Sequence, residues 1–228
     1  MPSPETSLEV FRREYFGSID QYLAWHDGYE ANFTCLDALT AAEQGEAAAE
    51  LLAGLRNTTA DARAILGLGY LRCEEALPLL HDYLRRGHYS MYALEAIAQI
   101  NPAGLYRPLV AQLLTSKAEW TKLIDVLTGL REYFTLPQVG VTIAARIFTL
   151  LAHPDYLARY HALSTLRRLY GLQSAATQRR QSDKAIRADK LFSLITTDKA
   201  PADYRQAQQL LLKQLDAALL QEYPLELS

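Results

Sequence analysis

The apolar residues of this chain recur in a nine-residue pattern that appears four times. Each copy places a small or aliphatic residue at its second position and aliphatic residues at its third, sixth and ninth positions, in residues 63–71, 92–100, 122–130 and 161–169. Spacings of three residues are typical of one face of an α-helix. The second positions are separated by 29, 30 and 39 residues, and periods of about 20 to 50 residues are typical of stacked helical repeats. The pattern therefore predicts a protein built from repeated helices.

Several helix starts are marked by a Ser or Thr that is followed three residues later by Glu or Gln. In this capping box, the hydroxyl and the carboxylate or amide satisfy backbone N–H groups at the start of a helix. We expect such starts at Thr6, Ser18, Thr40 and Ser116. Asp155 is the predicted N-cap of the helix that contains the fourth copy of the pattern.

Each repeat is predicted to be a helix pair. In the first repeat, an apolar stripe over residues 62–71 is followed, after a short turn, by a second stripe over residues 76–86. Gly67 and Gly69 lie inside the first of these helices, where the missing side chain permits close approach of a neighbouring helix. No run of alternating apolar and polar residues indicates a strand. The predicted fold is all-α, a solenoid of antiparallel helix pairs.

No linker divides the chain, so we expect residues 1–228 to form a single domain. Capping helices are expected at both ends, because the terminal units of a repeat stack close its exposed faces. The predicted parts are divergent N-terminal helices at 1–57, repeats at 58–172, a basic loop or helix extension at 173–182, and C-terminal capping helices at 183–228.

The repeats resemble HEAT repeats. The resemblance rests on helix pairs of about 30 to 40 residues, on Asp-Ala-Arg-Ala at residues 61–64, and on Glu-Ala-Leu-Pro-Leu-Leu at residues 75–80. It covers residues 59–172, and the short spacing is similar to the phycobilisome-lyase-like variety. A longer insertion at residues 131–138 breaks the period. The resemblance implies a right-handed superhelix with a concave binding surface, in a family that includes scaffolds, inhibitors, lyases and DNA-repair enzymes.

Composition favours a folded cytoplasmic protein. Hydrophobic residues make up 50% of the chain, which excludes a disordered protein. Cys35 and Cys73 have no metal-ligand or disulfide-framework spacing, and we expect both to be reduced. The N-terminus lacks the basic and apolar regions of a secretion signal. The longest apolar run, residues 139–152, is too short to span a membrane and contains Arg146. We expect a monomer or weak dimer that does not bind membranes.

The chain carries no recognisable catalytic motif. Its histidines have no metal-ligand spacing, and neither a glycine-rich phosphate loop nor a nucleophile motif is present. We therefore expect a protein that is not an enzyme and uses no metal or cofactor. The alternative is a HEAT-like lyase or alkylated-base glycosylase, which would need an aromatic pocket with a carboxylate. The candidates for that pocket are Trp120 with Asp82 or Asp125.

Polar and aromatic residues of the predicted second helices, and of the turns that follow them, form a candidate protein interface. Tyr, Trp and Arg are enriched among the residues that dominate binding energy at interfaces, and the chain has 14 tyrosines. For any one tyrosine, ordinary packing at the edge of the core is the alternative. The candidate residues are His81, Asp82, Arg85, Arg86, Tyr89, Tyr106, Arg107 and Trp120.

Charge is unevenly distributed along a chain whose net charge is −3. Residues 1–50 hold ten acidic and two basic side chains, whereas residues 151–200 hold nine basic and four acidic ones. The basic segment is a candidate for binding a nucleic-acid backbone, and a solvated helix face is the alternative. Its members are Arg159, Arg167, Arg168, Arg179, Arg180, Lys184, Arg187 and Lys190.

The acidic segment predicts a basic protein partner. Our functional hypothesis is an immunity or antitoxin-like protein that covers the active site of a toxin, by analogy with other small repeat inhibitors. Nuclease toxins must bind phosphate with basic clefts, and a complementary acidic surface speeds association. A scaffold or adaptor whose acidic face maintains solubility is the alternative. The predicted acidic residues are Glu30, Asp37, Glu43, Glu46 and Glu50, and the predicted anchors are Tyr89, Tyr106 and Trp120.

Overall fold

The computed structural model describes residues 5–173, 189–196 and 201–227. Within these residues the regular secondary structure is helical and no strand is present, which confirms the predicted all-α class. None of the described helices is both long enough and apolar enough to cross a membrane. The chain divides into two compact units, Met1–Gly104 and Leu105–Ser228. The single domain and the right-handed solenoid remain predictions.

The N-terminal unit carries the first two copies of the repeated pattern. They lie in α5 and α7, which pack against each other, and their second positions, Ala64 and Ala93, are buried. Short 3₁₀ turns at Glu74–Ala76 and Pro102–Gly104 precede α6 and follow α7. The described α-helices of this unit are α1 (Ser7–Phe16), α2 (Gln21–Asp27), α3 (Phe33–Asp37), α4 (Ala41–Arg56), α5 (Ala62–Tyr70), α6 (Leu77–Arg86) and α7 (Ser90–Ile100).

The C-terminal unit carries the third and fourth copies in the same manner. They lie in α9 and α12, which also pack against each other, and Leu123 and Ala162 at the second positions are buried. A 3₁₀ turn at Leu150–Ala152 follows α11. The described α-helices are α8 (Arg107–Leu113), α9 (Trp120–Tyr133), α10 (Leu136–Val139), α11 (Val141–Thr149), α12 (Tyr156–Leu169), α13 (Lys190–Thr196), α14 (Pro201–Gln214) and α15 (Ala217–Glu222).

Two of the four predicted capping boxes are present. The Thr6 hydroxyl accepts a hydrogen bond from the backbone N–H of Glu9, whose carboxylate accepts one from the backbone N–H of Thr6. Thr40 and Glu43 make the same reciprocal pair at the start of α4. Asp155 caps α12 as predicted.

The capping boxes predicted at Ser18 and Ser116 are wrong. The N-cap of α2 is Asp20, because its one carboxylate accepts hydrogen bonds from two backbone N–H groups in the first turn of the helix. Ser116 lies in a tight turn closed by a hydrogen bond of 3.1 Å from the N–H of Ala118 to the carbonyl of Thr115, so α9 begins only at Trp120.

The glycines of α5 allow neighbouring helices to approach, as predicted. A Cβ atom at Gly67 would lie 2.6 Å from Cε1 of Tyr15 in α1 and 3.0 Å from Cδ1 of Leu51 in α4. Gly69 faces α7 in the same way. Since real Cβ contacts are longer than these distances, the packing of α5 depends on glycine at both positions.

Arg63 joins α5 to the end of α1. Its guanidinium donates hydrogen bonds to the carbonyls of Glu14 at 2.6 Å and Gly17 at 2.8 Å, and it pairs with Asp61 at 2.7 Å. Arg63 is buried, and carbonyls at a helix C-terminus lack partners within their own helix. Arg63 therefore satisfies the end of α1 and fixes it on the helix of the first repeat.

Candidate interaction surface and ligand pocket

The acidic residues of α4 that were expected to attract a partner have partners within the N-terminal unit. Arg12 of α1 donates to Glu46 at 2.7 Å and to Glu50 at 2.5 Å. Glu43 is the carboxylate of the capping box at Thr40, and hydrogen bonds from Thr40 lower its pKa. The negative electrostatic field that α4 presents to a partner is therefore weaker than the sequence suggests.

The α6 residues of the predicted interface lie at or near the surface. Asp82 pairs with Arg85 one turn later, and the guanidinium of Arg86 lies 5.7 Å from the centre of the Tyr83 ring. His81 is half-buried and hydrogen-bonded to the backbone at Gly104. Burial lowers the pKa of His81, and the hydrogen bond to Gly104 opposes this effect. Arg85 and Arg86 are exposed.

Tyr89 belongs to an aromatic cluster that also contains Tyr29 and Tyr92. Its hydroxyl lies 3.3 Å from that of Tyr29, and the Tyr92 hydroxyl accepts a hydrogen bond of 2.8 Å from the backbone N–H of Tyr29. Tyr89 has φ +51°, an uncommon conformation for a residue with a side chain. Burial raises the pKa of Tyr89. The half-buried Tyr89 thus helps to hold the loop after α2 against the start of α7.

A cleft lies beside these residues, between α2 with its flanking loops and Arg63 of α5. It has a volume of about 350 Å³, and its lining includes Asp20, Asp27 and Glu30. Leu23 of the lining is exposed over 53% of its full area, and two large side chains near it in the sequence are also exposed, Phe16 at 48% and Tyr22 at 67%. We call the cleft with these three side chains the N-terminal cleft.

The predicted anchors of the C-terminal unit are exposed, with Tyr106 at 54% and Trp120 at 39% of their full area. Arg107 makes its hydrogen bonds within the C-terminal unit, where it donates to the carbonyls of Pro137 and Gln138 at 2.9 Å. These carbonyls belong to the short helix α10. Arg107 therefore stabilises α10, while Tyr106 and Trp120 remain candidates for a partner contact.

The basic segment is in part internal. Arg159 is completely buried and donates to the carbonyls of His153 and Ile195, so its expected place on a nucleic-acid surface is wrong. Arg167 pairs with Asp189 at 2.6 Å. Arg168 lines a pocket described below. Lys190 is the first residue of α13. Outside the described residues lie Arg179, Arg180, Lys184 and Arg187.

The residues proposed for an enzyme do not assemble within α9. Trp120 and Asp125 are five residues apart on this helix, which separates their side chains by about 140° around its axis. Burial raises the pKa of Asp125, and none of the described residues makes a hydrogen bond or ion pair with its carboxylate. Asp82 lies in the other unit. Among the described residues, no cluster of three His, Cys, Asp or Glu side chains is arranged to bind a metal ion.

The C-terminal unit contains a pocket that the sequence did not predict. It has a volume of about 430 Å³ and lies where α9 and α12 end, beside α15. The insertion that breaks the repeat period forms one wall. The lining residues are Arg131, Glu132, Tyr133, Phe134, Thr135, Leu136, Pro137, Arg168, Leu169, Leu219, Glu222 and Tyr223. We call it the Arg131 pocket.

Arg131 has fewer hydrogen-bond partners than its burial requires. Its side chain is only 9% exposed, and its Nε donates to Glu132 at 2.9 Å. Its Nη1 is buried without an acceptor among the described residues. The neighbouring His161 is half-buried, and burial together with the charge of Arg131 lowers its pKa to about 4. His161 is therefore neutral at pH 7 and leaves Arg131 as the local positive charge.

The signal for this pocket was the loss of periodicity after Leu130, where Arg131 follows the last aliphatic position of the third copy. Comparison of the chain with models of protein families, with curated proteins and with solved structures gives no match.

Proposed function

We propose that this chain is a non-catalytic protein-binding module, and that it receives a basic protein partner at the N-terminal cleft. The observation that supports this most is a cleft lined by the exposed Leu23 and by Asp20, Asp27 and Glu30, with the exposed Tyr22 and Phe16 near them in the sequence. Grouped large apolar side chains with a charged rim are typical of interaction surfaces.

The charges of the cleft select the class of partner. Asp20, Asp27 and Glu30 are all acidic, although Asp20 caps α2 and Asp27 lies 2.6 Å from the ring of His26. The cationic Arg63 in the lining is buried and paired with Asp61. A partner with Lys or Arg around an apolar contact would complement this rim and associate faster at low salt. A nuclease toxin fits this description, which keeps the immunity or antitoxin-like role as the preferred hypothesis and a HEAT-like scaffold as the alternative.

The first test is genetic. The gene of an immunity protein is expected to lie directly beside the gene of its toxin, and the neighbour would encode a basic protein. Co-expression with that neighbour and purification through a tag should yield a stable complex. A complex that forms without change when Tyr22 and Leu23 are both replaced by Ala would contradict the proposed surface.

The second test measures association rates with the purified partner. Reversing the charges of Asp27 and Glu30 to Lys should slow association by about tenfold or more at low salt, because it removes the attractive field at the cleft. The matched control reverses Glu74 and Glu226, two exposed acidic residues outside the cleft lining. Equal association rates for the two double variants would contradict a role of the cleft. Reversal of Glu46 and Glu50 is less informative, since it also breaks their pairs with Arg12.

A further inference from the structure

Two arginines line the Arg131 pocket, and part of their hydrogen-bonding capacity is unused. Glu132 is occupied by Nε of Arg131, and Glu222 accepts a hydrogen bond from the hydroxyl of Tyr223. Nη1 of Arg131 is buried without an acceptor, and the half-buried Arg168 makes no side-chain hydrogen bond or ion pair with another described residue. A buried donor without an acceptor costs free energy, so a ligand that accepts a hydrogen bond from Arg131 would be favoured here.

The charges of the pocket limit the charge of that ligand. Arg131 and Arg168 are balanced by Glu132 and Glu222, so the pocket offers free donors but no net positive charge. The C-terminal ends of α9 and α12 add negative partial charge beside it. Both carboxylates repel any anion, and the repulsion grows with the charge of the ligand, so a single negative charge shared by two guanidinium groups fits this arrangement better than a phosphate dianion.

The other lining residues indicate what kind of chemical group the ligand carries besides its charged group. Phe134, Leu136, Pro137, Leu169 and Leu219 make much of the wall apolar. A volume of about 430 Å³ is within the usual range of sites for small molecules, in which an apolar wall carries a few polar groups that fix orientation. The ligand is therefore expected to join one charged group to an apolar or aromatic body.

We propose that the Arg131 pocket binds a small monocarboxylate with an apolar body, and that Arg131 and Arg168 hold its carboxylate. Planar guanidinium groups match carboxylates through paired hydrogen bonds. The pocket lies within the C-terminal unit, and the proposal does not depend on a protein partner at the N-terminal cleft.

The test uses the full chain and isothermal titration calorimetry with three matched probes. Phenylacetate carries the proposed charge, phenylacetamide is its neutral counterpart, and phenyl phosphate adds a second charge to a similar body. Phenylacetate should bind saturably, and each of the other two should bind about tenfold more weakly or not at all. Absence of saturable phenylacetate binding, or equal binding of phenylacetamide, would overturn the proposal. Tighter binding of phenyl phosphate would overturn the assignment of a monoanion.

Two variants locate the binding. Arg168→Gln should weaken phenylacetate binding by about tenfold, since it removes one guanidinium from a half-buried position. Arg131→Lys keeps the charge but loses the planar fork, and it should weaken binding at least as much. Arg146→Gln, on an exposed position of α11, is the control and should bind like the original chain. If Arg131→Lys does not fold, Arg168→Gln carries the test alone, and unchanged affinity in that variant would overturn the site.

Discussion

Gly69 of α5 lies directly against Ala96 of α7. A Cβ atom at Gly69 would be 2.7 Å from the Cα atom of Ala96 and 2.7 Å from Oε1 of Gln99. The contact joins the first two copies of the repeated pattern, since Gly69 is the seventh residue of the first copy and Ala96 is the fifth residue of the second. The distance between these two helices is therefore set by the absence of a side chain.

Replacing Gly69 by Ala should destabilise the protein. The added methyl group meets backbone atoms of α7, so the helices must separate, and overpacking of this kind costs about 1–3 kcal/mol. Unfolding in urea measures the loss. The matched control is Gly45→Ala in α4, where a Cβ atom would meet nothing within 4 Å. There the substitution should stabilise by about 0.5–1 kcal/mol, because alanine favours the helix. Equal effects at the two positions would contradict the close contact.

Arg159 is the second position at which packing can be tested. It is fully buried, and its guanidinium donates to the carbonyl of Ile195 at 2.5 Å and to those of His153 and Pro154 at 2.6 Å and 2.7 Å. Replacing it by Ala leaves these carbonyls without a donor and opens a cavity. The free energy of unfolding should fall by about 3–5 kcal/mol.

The control for Arg159 is Arg146→Ala, because Arg146 is an exposed arginine of the same unit. That variant should change the free energy of unfolding by no more than about 0.5 kcal/mol. If Arg159→Ala changed the free energy of unfolding as little as Arg146→Ala, the conclusion that Arg159 stabilises the interior would be contradicted. Arg159 would then again be a candidate for a binding surface.

The sequence predicted the features of this chain that depend on local order. The nine-residue pattern identified four buried helix faces, and the capping boxes at Thr6 and Thr40 were visible because their partners are three residues apart. The pairing of Arg12 with Glu46 and Glu50 was not visible, since the partners are 34 and 38 residues apart. For that reason the sequence alone suggested that Glu46 and Glu50 were unpaired and available to attract a basic partner.

The same limit explains why the Arg131 pocket was missed. Its wall comes from the ends of α9 and α12, from the start of α10 and the residues before it, and from α15 with the residue that follows it. Only folding brings these segments together. The sequence did show that the repeat period fails at residues 131–138. A break in a repeat is a place where the chain leaves regular packing, and in this chain the pocket lies beside that break.

Asp125 should destabilise the folded state at neutral pH. Its half-buried carboxylate has a raised pKa because burial disfavours the charged form. A raised folded-state pKa means that stability decreases as the pH rises above the ordinary value near 3.8. Asp125→Asn removes this cost and should raise the free energy of unfolding by about 0.5–1.5 kcal/mol at pH 7.

At pH 3 the gain in stability of the Asp125→Asn variant should be largely lost, because Asp125 is then mostly protonated in both the folded and unfolded states. Chemical unfolding at the two pH values measures the difference. The control is Asp216→Asn, which also changes a carboxylate, but one that caps α15 by accepting from the N–H groups of Ala218 and Leu219. That change should not stabilise the protein at pH 7, and a gain equal to that of Asp125→Asn would contradict the role of burial.

His161 should make the protein less stable in mild acid. Burial and the nearby Arg131 lower its pKa from 6.5 to about 4, so the unfolded chain takes up a proton at a higher pH than the folded chain. The free energy of unfolding therefore falls as the pH decreases from about 6.5 to about 4, by on the order of 2–3 kcal/mol from this group. Above that pH window the contribution of His161 to stability is fully present.

His161→Gln cannot take up this proton, so its free energy of unfolding should depend less steeply on pH across the same window. His81, whose pKa is also lowered, contributes equally to both proteins and cancels in the comparison. Identical pH slopes for the two proteins would mean that His161 is solvated and does not feel the charge of Arg131. That result would also weaken the description of the Arg131 side chain as a positive charge without a full set of partners.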